Sequence, residues 1–429
     1  MKNSININII ISFTFVILVA IFNQCSWIVL FDSDGYLDLW KKMFFFSLNI
    51  FFIVTALLFY IKRRNHNFIS RYLQLILINS VVLSLLLLIL ELIFGNWFNP
   101  YNINQLNIKK DCVIQYELHG LYPWHNDNII YSRDKWGFRG IYPSLNSIDI
   151  LTIGGSTTDQ RYISDGYTFQ DILKKEFAKN GKDISVVNAG IDGQSTYGHI
   201  KNFDYWFSRI PDLNIKYILF YVGINDFYKD SNYHRDSMSI DTVFSVMKEF
   251  KTKSVLYYLN RILEGASLAD AYGLNHDVSN NINKFSTNNW VDQPRLSNYE
   301  DLMQSRLDAY EQRLNILCNE VKSLGSIPIF VTQSSRRLYD IIDGTLLGDT
   351  IIYANYDGHL VNGIDYYYMI QLIHERTRKI SERNGGIFLH ADKEIKFDIK
   401  NDYYDSAHHT PSGSEKVGKY LYIKLKHLF

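Results

Sequence analysis

Ester or amide hydrolysis by a serine needs a hydroxyl at a sharp turn, a base to take its proton, and a carboxylate to orient that base. The chain offers residues of each type. An apolar, β-branched run, Ile148 to Ile153, breaks at Gly154-Gly155-Ser156-Thr157-Thr158-Asp159. The run reads as a buried strand, the glycines permit a tight turn, and the polar residues after them supply N-cap chemistry for a helix. Ser156 would then lie at the carboxyl end of a strand, where open α/β sheets place ligands, and beside a helix N-terminus with its positive potential. An ordinary strand-to-helix turn has the same composition. The serine gains weight from a distant stretch, Tyr404-Asp405-Ser406-Ala407-His408-His409-Thr410-Pro411-Ser412-Gly413. There Asp405 and His408 are spaced closely enough to meet in one turn. His408 can act as a base near neutral pH, and Asp405 can hold its tautomer. His409 competes for the role of base, but its spacing from Asp405 is less suitable. An oxyanion would need N–H donors set in advance, and the candidates are the Ser156 N–H, the Gly193 N–H and the side-chain amide of Asn225.

The elements that must position these residues alternate. After Ser156, residues Tyr167 to Asn180 carry apolar side chains at helical spacing and stop at Asn180-Gly181, a good C-cap pair. Ile184 to Asn188 reads as a strand, followed by the glycine-rich turn Ala189 to Thr196 and a helix from His199 to Ile210. Ile215 to Val222 is a third strand, ending in Gly223-Ile224-Asn225-Asp226. Strands that each end in a polar, glycine-containing turn, with helices between, imply a parallel sheet with right-handed crossovers. All three turns then share one edge. Phe227 to Asn298 interrupts the alternation, and an insertion this long reads as a lid or specificity element. Asp301 to Leu324 is an amphipathic helix. Ile327 to Thr332 is a strand that ends in Gln333-Ser334-Ser335-Arg336-Arg337. Asp340 to Gly363 is a second irregular excursion. Tyr366 to Asn384 is helical, Gly386 to Ala391 a short strand, and Lys416 to Leu428 a basic amphipathic helix.

Together these stretches resemble the four marked blocks of the SGNH/GDSL hydrolases: Gly154-Gly155-Ser156, Asn188 to Gly193, Gly223-Ile224-Asn225-Asp226, and Asp405-Ser406-Ala407-His408. The resemblance runs from Asp149 to Phe429, apart from the insertions. In the first block Gly155 stands where the family's Gly-Asp-Ser form has Asp. The resemblance implies an α/β, three-layer flavodoxin-like fold with a parallel sheet, and ester chemistry. It implies Ser156 as nucleophile, His408 and Asp405 as its supporting pair, and Gly193 and Asn225 in the oxyanion hole. It implies no metal and no organic cofactor.

The 429 residues exceed the usual single-domain size. They carry 44 basic and 44 acidic side chains, so no global field points to nucleic acid as a partner. Three cysteines, Cys25, Cys112 and Cys318, make neither a metal-like cluster nor a disulfide framework. The first hundred residues differ in character. Ile9 to Phe22 (continuing from Trp27 to Phe31), Phe44 to Ile61 and Tyr72 to Phe94 are apolar runs that approach the roughly 20 residues needed to cross a bilayer. Residues 1–98 are therefore expected to form a membrane domain of three transmembrane helices. Lys62-Arg63-Arg64 and Arg71 flank the link between the second and third runs, which places that link in the cytoplasm by the positive-inside rule. Everything after Phe94 is then extracytoplasmic. Glu91, at the outer end of the third run, is expected to reach lipid headgroups, the alternative being a bond to a neighbouring helix.

Residues 99–147 read as a polar linker followed by an aromatic-rich flap. The flap is either packed on the sheet or forms a cleft wall in which Arg139 offers a fixed cation. Residues 148–429 form the hydrolase domain, with its insertion near 227–298. The expected partners are an acylated glycan or lipid substrate and membrane lipids. The leading function is hydrolysis of O-acyl esters. An O-acyltransferase with the same triad is the alternative within enzymes, and a glycan-binding protein is the non-catalytic one.

Overall fold

The computed structural model describes residues 7–21, 39–61, 71–95, 97–98, 108–118, 120–124, 128–227, 253–257, 259, 286–350, 352–356 and 358–429. The chain divides into two compact units, one of Met1–Gln105 with Asn232–Tyr272, the other of Leu106–Ser231 with Gly273–Phe429.

The first unit contains the helices Ile7–Ile21, Leu39–Ile61 and Arg71–Phe94. The first two pack together through Phe15, whose ring lies 5.9 Å from Phe52 and 6.3 Å from Phe59. The Ser12 hydroxyl donates to the Ala56 carbonyl at 2.8 Å. Among the described residues no helix is long and apolar enough to cross a membrane. The three expected transmembrane helices are thus not carried by the described residues. Residues 22–38 and the basic link at 62–70 lie outside them. Glu91 departs from its expected role. Its carboxylate accepts hydrogen bonds from Ser254 Oγ at 2.6 Å, from the N–H groups of Val255 and Leu256 at 3.1 Å, and from Trp97 Nε1 at 3.0 Å. A carboxylate that meets successive backbone N–H groups satisfies donors that would otherwise need water. Tertiary placement of residues 254–256 supplied partners that no local pattern around Glu91 announces.

In the second unit five parallel strands form the central sheet: β3 (Ile148–Gly154), β4 (Val186–Asn188), β5 (Ile215–Val222), β6 (Ile327–Thr332) and β11 (Ile387–Leu389). Their order is β4-β3-β5-β6-β11, the doubly wound order of flavodoxin-like sheets. Both faces are covered. Alternate residues of a strand point to opposite faces. Leu219 and Tyr221 of β5 join a core with Leu173 and Phe177 of the helix Phe169–Lys179 and with Val417 and Leu421 of the helix Pro411–Leu425. Phe220, on the opposite face of β5, stacks on Phe330 at 4.9 Å. The helices Thr196–Tyr205, Tyr299–Ser323 and Gly363–Arg383 complete the molecule. The observed architecture is α/β with a parallel sheet in three layers.

Several sequence-level boundaries move. The excursion at 340–363 contains two antiparallel hairpins, β7 (Tyr339–Ile342) with β8 (Thr345–Gly348), and β9 (Ile352–Tyr356) with β10 (His359–Val361). These strands are too short to show a clear alternation. The closing helix starts at Pro411, with the Thr410 hydroxyl as its N-cap and Pro at the first turn, where a missing N–H costs nothing. The flap is built on a hairpin of β1 (Cys112–Glu117) and β2 (Asn128–Arg133). The end of the long insertion, 286–298, is docked. Val291 bridges to Gly348, and the Arg295 and Leu296 N–H groups donate to Asp365 Oδ1 at 3.0 and 2.9 Å. This end of the insertion is thus held to the unit at Val291, Arg295 and Leu296. Residues 228–252 and 260–285 lie outside the described residues. Cys112 and Cys318 are both free thiols.

Candidate active site

Ser156 heads the four-residue helix Ser156–Asp159 that follows β3, and Asn225 lies in the helix Ile224–Phe227 that follows β5. The strand order reverses between β3 and β5, so both residues stand at the topological switch point, where doubly wound sheets open a crevice. The two glycines before Ser156 are required by crowding rather than by φ. A Cβ on Gly154 would lie 2.0 Å from Thr158 Oγ1 and 2.7 Å from the Tyr221 carbonyl oxygen. A Cβ on Gly155 would lie 2.3 Å from Asn225 Nδ2 and 2.8 Å from the Gln194 carbonyl oxygen.

Ser156, His408 and Asp405 meet. His408 Nε2 lies 2.6 Å from Ser156 Oγ, and His408 Nδ1 lies 2.6 Å from Asp405 Oδ2. The other carboxylate oxygen of Asp405 accepts from the N–H groups of Ala407 at 2.9 Å and His408 at 2.7 Å. The Asp-x-x-His spacing works because the aspartate caps its own turn and so aims its second oxygen at the imidazole. The imidazole lies flat on Tyr404, with centroids 5.5 Å apart and planes at 8°. Burial pushes the Asp405 carboxyl up, but the charge and hydrogen bond of His408 and two backbone N–H groups outweigh it and hold the carboxyl down at about 2. For His408 burial disfavours the imidazolium, and Asp405 more than reverses this, so its pKa is raised. A serine hydroxyl facing a histidine that a carboxylate orients can be deprotonated as it attacks.

His409 points elsewhere. Its ring is buried, stacks on Phe397 at 5.0 Å, and places Nε2 3.2 Å from the Tyr221 hydroxyl. Burial pushes its pKa down to about 4, so it stays neutral in the core.

Of the oxyanion candidates, Asn225 lies against the residue before the serine, its Nδ2 2.3 Å from where a Cβ on Gly155 would stand. Gly193 has φ +74, and a Cβ there would meet nothing within 4 Å. It therefore lines open space in a conformation that favours glycine. Asn225 Nδ2 donates to the Gln194 carbonyl at 2.7 Å. An amide carries two protons, so one remains after that bond. Asp226 takes a supporting part: it accepts from the Thr196 N–H at 3.2 Å and pairs with Arg313 at 3.3 Å. The helix Thr196–Tyr205 is thereby tied to the Gly223–Asp226 turn.

Other supports were not evident from spacing. Gln333 receives the Ile224 N–H at 2.9 Å and donates to Thr157 Oγ1 at 2.5 Å. Arg337, itself buried, donates to the carbonyls of Tyr404 at 3.0 Å and Tyr403 at 2.5 Å, and so anchors the loop that presents Asp405. The signal available in the sequence was a polar run at a strand end, which named the region but not the partners.

Arg139 is not a cation for substrate. It is 2% exposed, pairs with Asp165 at 2.7 Å, and donates to the carbonyls of Asp159 and Gln160 at 2.9 Å. Arg133 likewise pairs with buried Asp159 at 2.6 Å. Arg139 thereby serves carbonyls at the end of the Ser156–Asp159 helix, which need donors, while Arg133 holds the Asp159 carboxylate. Among the described residues no group of three His, Cys, Asp or Glu side chains is arranged to hold a metal ion.

No protein-family profile and no curated protein matches the chain. Solved structures with a similar course of chain include TesA, at 11% identity and a TM-score of 0.35, over 66% of this chain and 99% of that one. An acetyl xylan esterase from Geobacillus stearothermophilus is similar at 15% identity and a TM-score of 0.34, over 66% of this chain and 96% of its own. The psychrotrophic esterase EstA from Pseudoalteromonas sp. is similar at 12% identity and a TM-score of 0.34, over 65% of this chain and 98% of its own. Likenesses this distant carry no functional weight, and the chemistry rests on the geometry of this chain.

Proposed function

We propose that this chain is a serine ester hydrolase acting on O-acyl groups, with Ser156 as nucleophile, His408 as general base and acid, and Asp405 as the group that orients His408. The observation that carries the reading is the line from Asp405 Oδ2 through the imidazole to Ser156 Oγ, at 2.6 Å on each side. As Ser156 Oγ attacks the acyl carbon, His408 Nε2 takes the hydroxyl proton and the carbonyl π pair moves onto its oxygen. The Ser156 and Gly193 N–H groups and the Asn225 amide are assigned to that oxyanion. Collapse of the intermediate expels the alcohol oxygen, which receives the proton from His408. Water then repeats the two steps on the acyl-serine and releases the carboxylic acid.

The ester-bearing substrate is assigned to envelope or surface glycans or lipids. The N-terminal helices are read as a membrane anchor, with the catalytic unit extracytoplasmic. Support comes from the three apolar runs, from Lys62-Arg63-Arg64 between the second and third, and from large apolar side chains exposed on the described helices, such as Phe46 at 62% and Ile93 at 66%.

The purified full chain is to be incubated with acetylated envelope glycan and with p-nitrophenyl acetate, and with a fluorophosphonate probe. Acetate release and labelling confined to Ser156 are expected. Acyl transfer to a sugar hydroxyl without net acetate release would assign the triad to a transferase. Neither release nor labelling would return the chain to a binding role. For topology, a reporter fused after Phe429 should be active only in an exported form.

A further inference from the structure

An ion pair stands beside the catalytic set without belonging to it. Arg161 Nη2 lies 2.6 Å from Asp192 Oδ2, with the two side chains 25% and 26% exposed. Each partner is one residue from a turn that matters. Arg161 follows Gln160, which closes the Ser156–Asp159 helix in the left-handed conformation at φ 51. Asp192 precedes Gly193, whose φ is +74. The pair therefore joins the segment leaving the nucleophile to the tip of the turn that presents an oxyanion donor.

Both flanks of this bridge are firm, and the turn between them is closed by the Gln194 N–H on the Ile191 carbonyl at 3.2 Å. Arg161 is presented by a turn whose carbonyls at Asp159 and Gln160 are each held by Arg139 Nη1 at 2.9 Å. On the other side, the Ile191 N–H donates to the Gly154 carbonyl at 3.0 Å, and Asn225 Nδ2 holds the Gln194 carbonyl at 2.7 Å. Between these fixed flanks Gly193 borders open space. Asp192, tied to Arg161, is a side-chain restraint at the tip itself.

We propose that Arg161 and Asp192 are positioning residues for the hydrolysis: their ion pair fixes the Gly193 N–H relative to Ser156 and balances the charge that faces His408. The proposal rests on reading the chain as an ester hydrolase. It gives a role to a pair whose side chains are only 25% and 26% exposed. The charges around the imidazole support it. Asp405 and Asp192 favour the imidazolium, while burial and Arg161 oppose it. Tyr404 stacks on the ring without charge, His409 is turned toward Tyr221, and Arg337 is engaged by the Tyr403 and Tyr404 carbonyls, in the field of Asp405. Neutralising either member of the pair thus leaves the other acting alone, with opposite signs.

The test uses the full chain with isotope-labelled histidine, the His408 resonance being assigned by its loss in His408→Asn. Asp192→Asn should lower the His408 pKa and Arg161→Gln should raise it. The acid limb of kcat/KM should move in the same directions. On the pH plateau each variant should lose roughly tenfold in kcat with KM little changed, as expected for a misplaced rather than a missing donor. Arg161→Lys, which keeps the charge and loses the planar fork, should restore the limb but not the plateau. Melting temperatures should stay near that of the wild type. Shifts of the same sign in Asp192→Asn and Arg161→Gln, no shift in either, or an unchanged kcat would overturn the proposal. A wild type that hydrolyses no ester would instead remove the hydrolase reading, and the histidine titration would still decide whether the pair balances charge at His408.

Discussion

The side-chain amide of Asn225 fills the space that a Cβ at residue 155 would enter, with Nδ2 only 2.3 Å from that position. The Gln194 carbonyl closes the same space at 2.8 Å. Residue 155 and the Asn225 amide are thus coupled by exclusion. Gly155→Ala should displace Asn225 and lower kcat by about a hundredfold, the scale of one lost oxyanion donor, while the protein still folds. Gly155→Asp, with its larger side chain at the same place, should do no better. Wild-type turnover by either variant would show that Asn225 does not serve the reaction in this position.

Ser156→Ala and His408→Ala should each reduce ester hydrolysis by several orders of magnitude. The double variant should be little worse than either single one, because members of a triad act as a unit. Asn225→Ala should cost about a hundred- to a thousand-fold. His409→Ala, affecting a core ring that packs on Phe397, should leave the chemistry far less impaired and lower stability instead. Steady-state rates with melting curves on the same samples separate the two effects.

The pH profile has a definite sign. Asp405, outweighing burial, raises the pKa of His408, so kcat/KM falls as pH drops through a value above that of an ordinary imidazole, since the base must be neutral to accept a proton. Asp405→Asn removes the main cause of that rise. Its acid limb should move to lower pH while the plateau drops by about ten thousandfold. A limb that stays in place in Asp405→Asn would identify a different titrating base.

Acid should destabilise the fold well before the carboxylates titrate. His199 and His409 are buried, and burial pushes their pKa values down to about 3 and about 4. Their unfolded values lie near 6.5. The unfolded state therefore binds their protons first, and stability falls as pH drops below about 6.5 toward each folded value, at up to roughly 1.4 kcal/mol per pH unit for each group. The loss should shrink in His409→Asn. Denaturant melts at pH 7, 6 and 5 measure it, and a midpoint that does not change over this interval would count against neutral buried histidines.

Arg337→Ala should strike activity through the Asp405 loop. Two carbonyls, of Tyr403 and Tyr404, lose their donor in a buried setting, at a cost of about 1–3 kcal/mol each. kcat should fall with KM nearly constant. Normal kcat in a destabilised Arg337→Ala protein would confine the residue to a folding role.

For the insertion, deletion of residues 273–285, leaving the docked 286–298 segment, should preserve cooperative unfolding and change substrate preference. Loss of cooperative unfolding would make that segment part of the folded unit.

By itself the sequence determined the strands of the central sheet, the polar turns at their carboxyl ends, and the Asp405–His408 spacing. Each of these is written in residues within a few positions of one another: a β-branched run, a glycine pair, an aspartate that caps its own turn. The direction of neighbouring strands also followed, because helical crossovers permit little else. Tertiary structure alone decided the partners. It turned His408 to Ser156 and His409 to Tyr221, although the two histidines are adjacent in the chain. It buried Arg139 against Asp165 and the carbonyls of Asp159 and Gln160, where the sequence allowed an exposed cation. It gave Glu91 to Ser254, Val255 and Leu256, with which it shares no local pattern. It placed Arg337 under Tyr403 and Tyr404 and Arg161 beside Asp192. The physical reason is common to all of these. A buried or half-buried polar group must find a donor or acceptor wherever the fold brings one, and which group arrives is set by packing between elements far apart in the chain, not by the residues on either side.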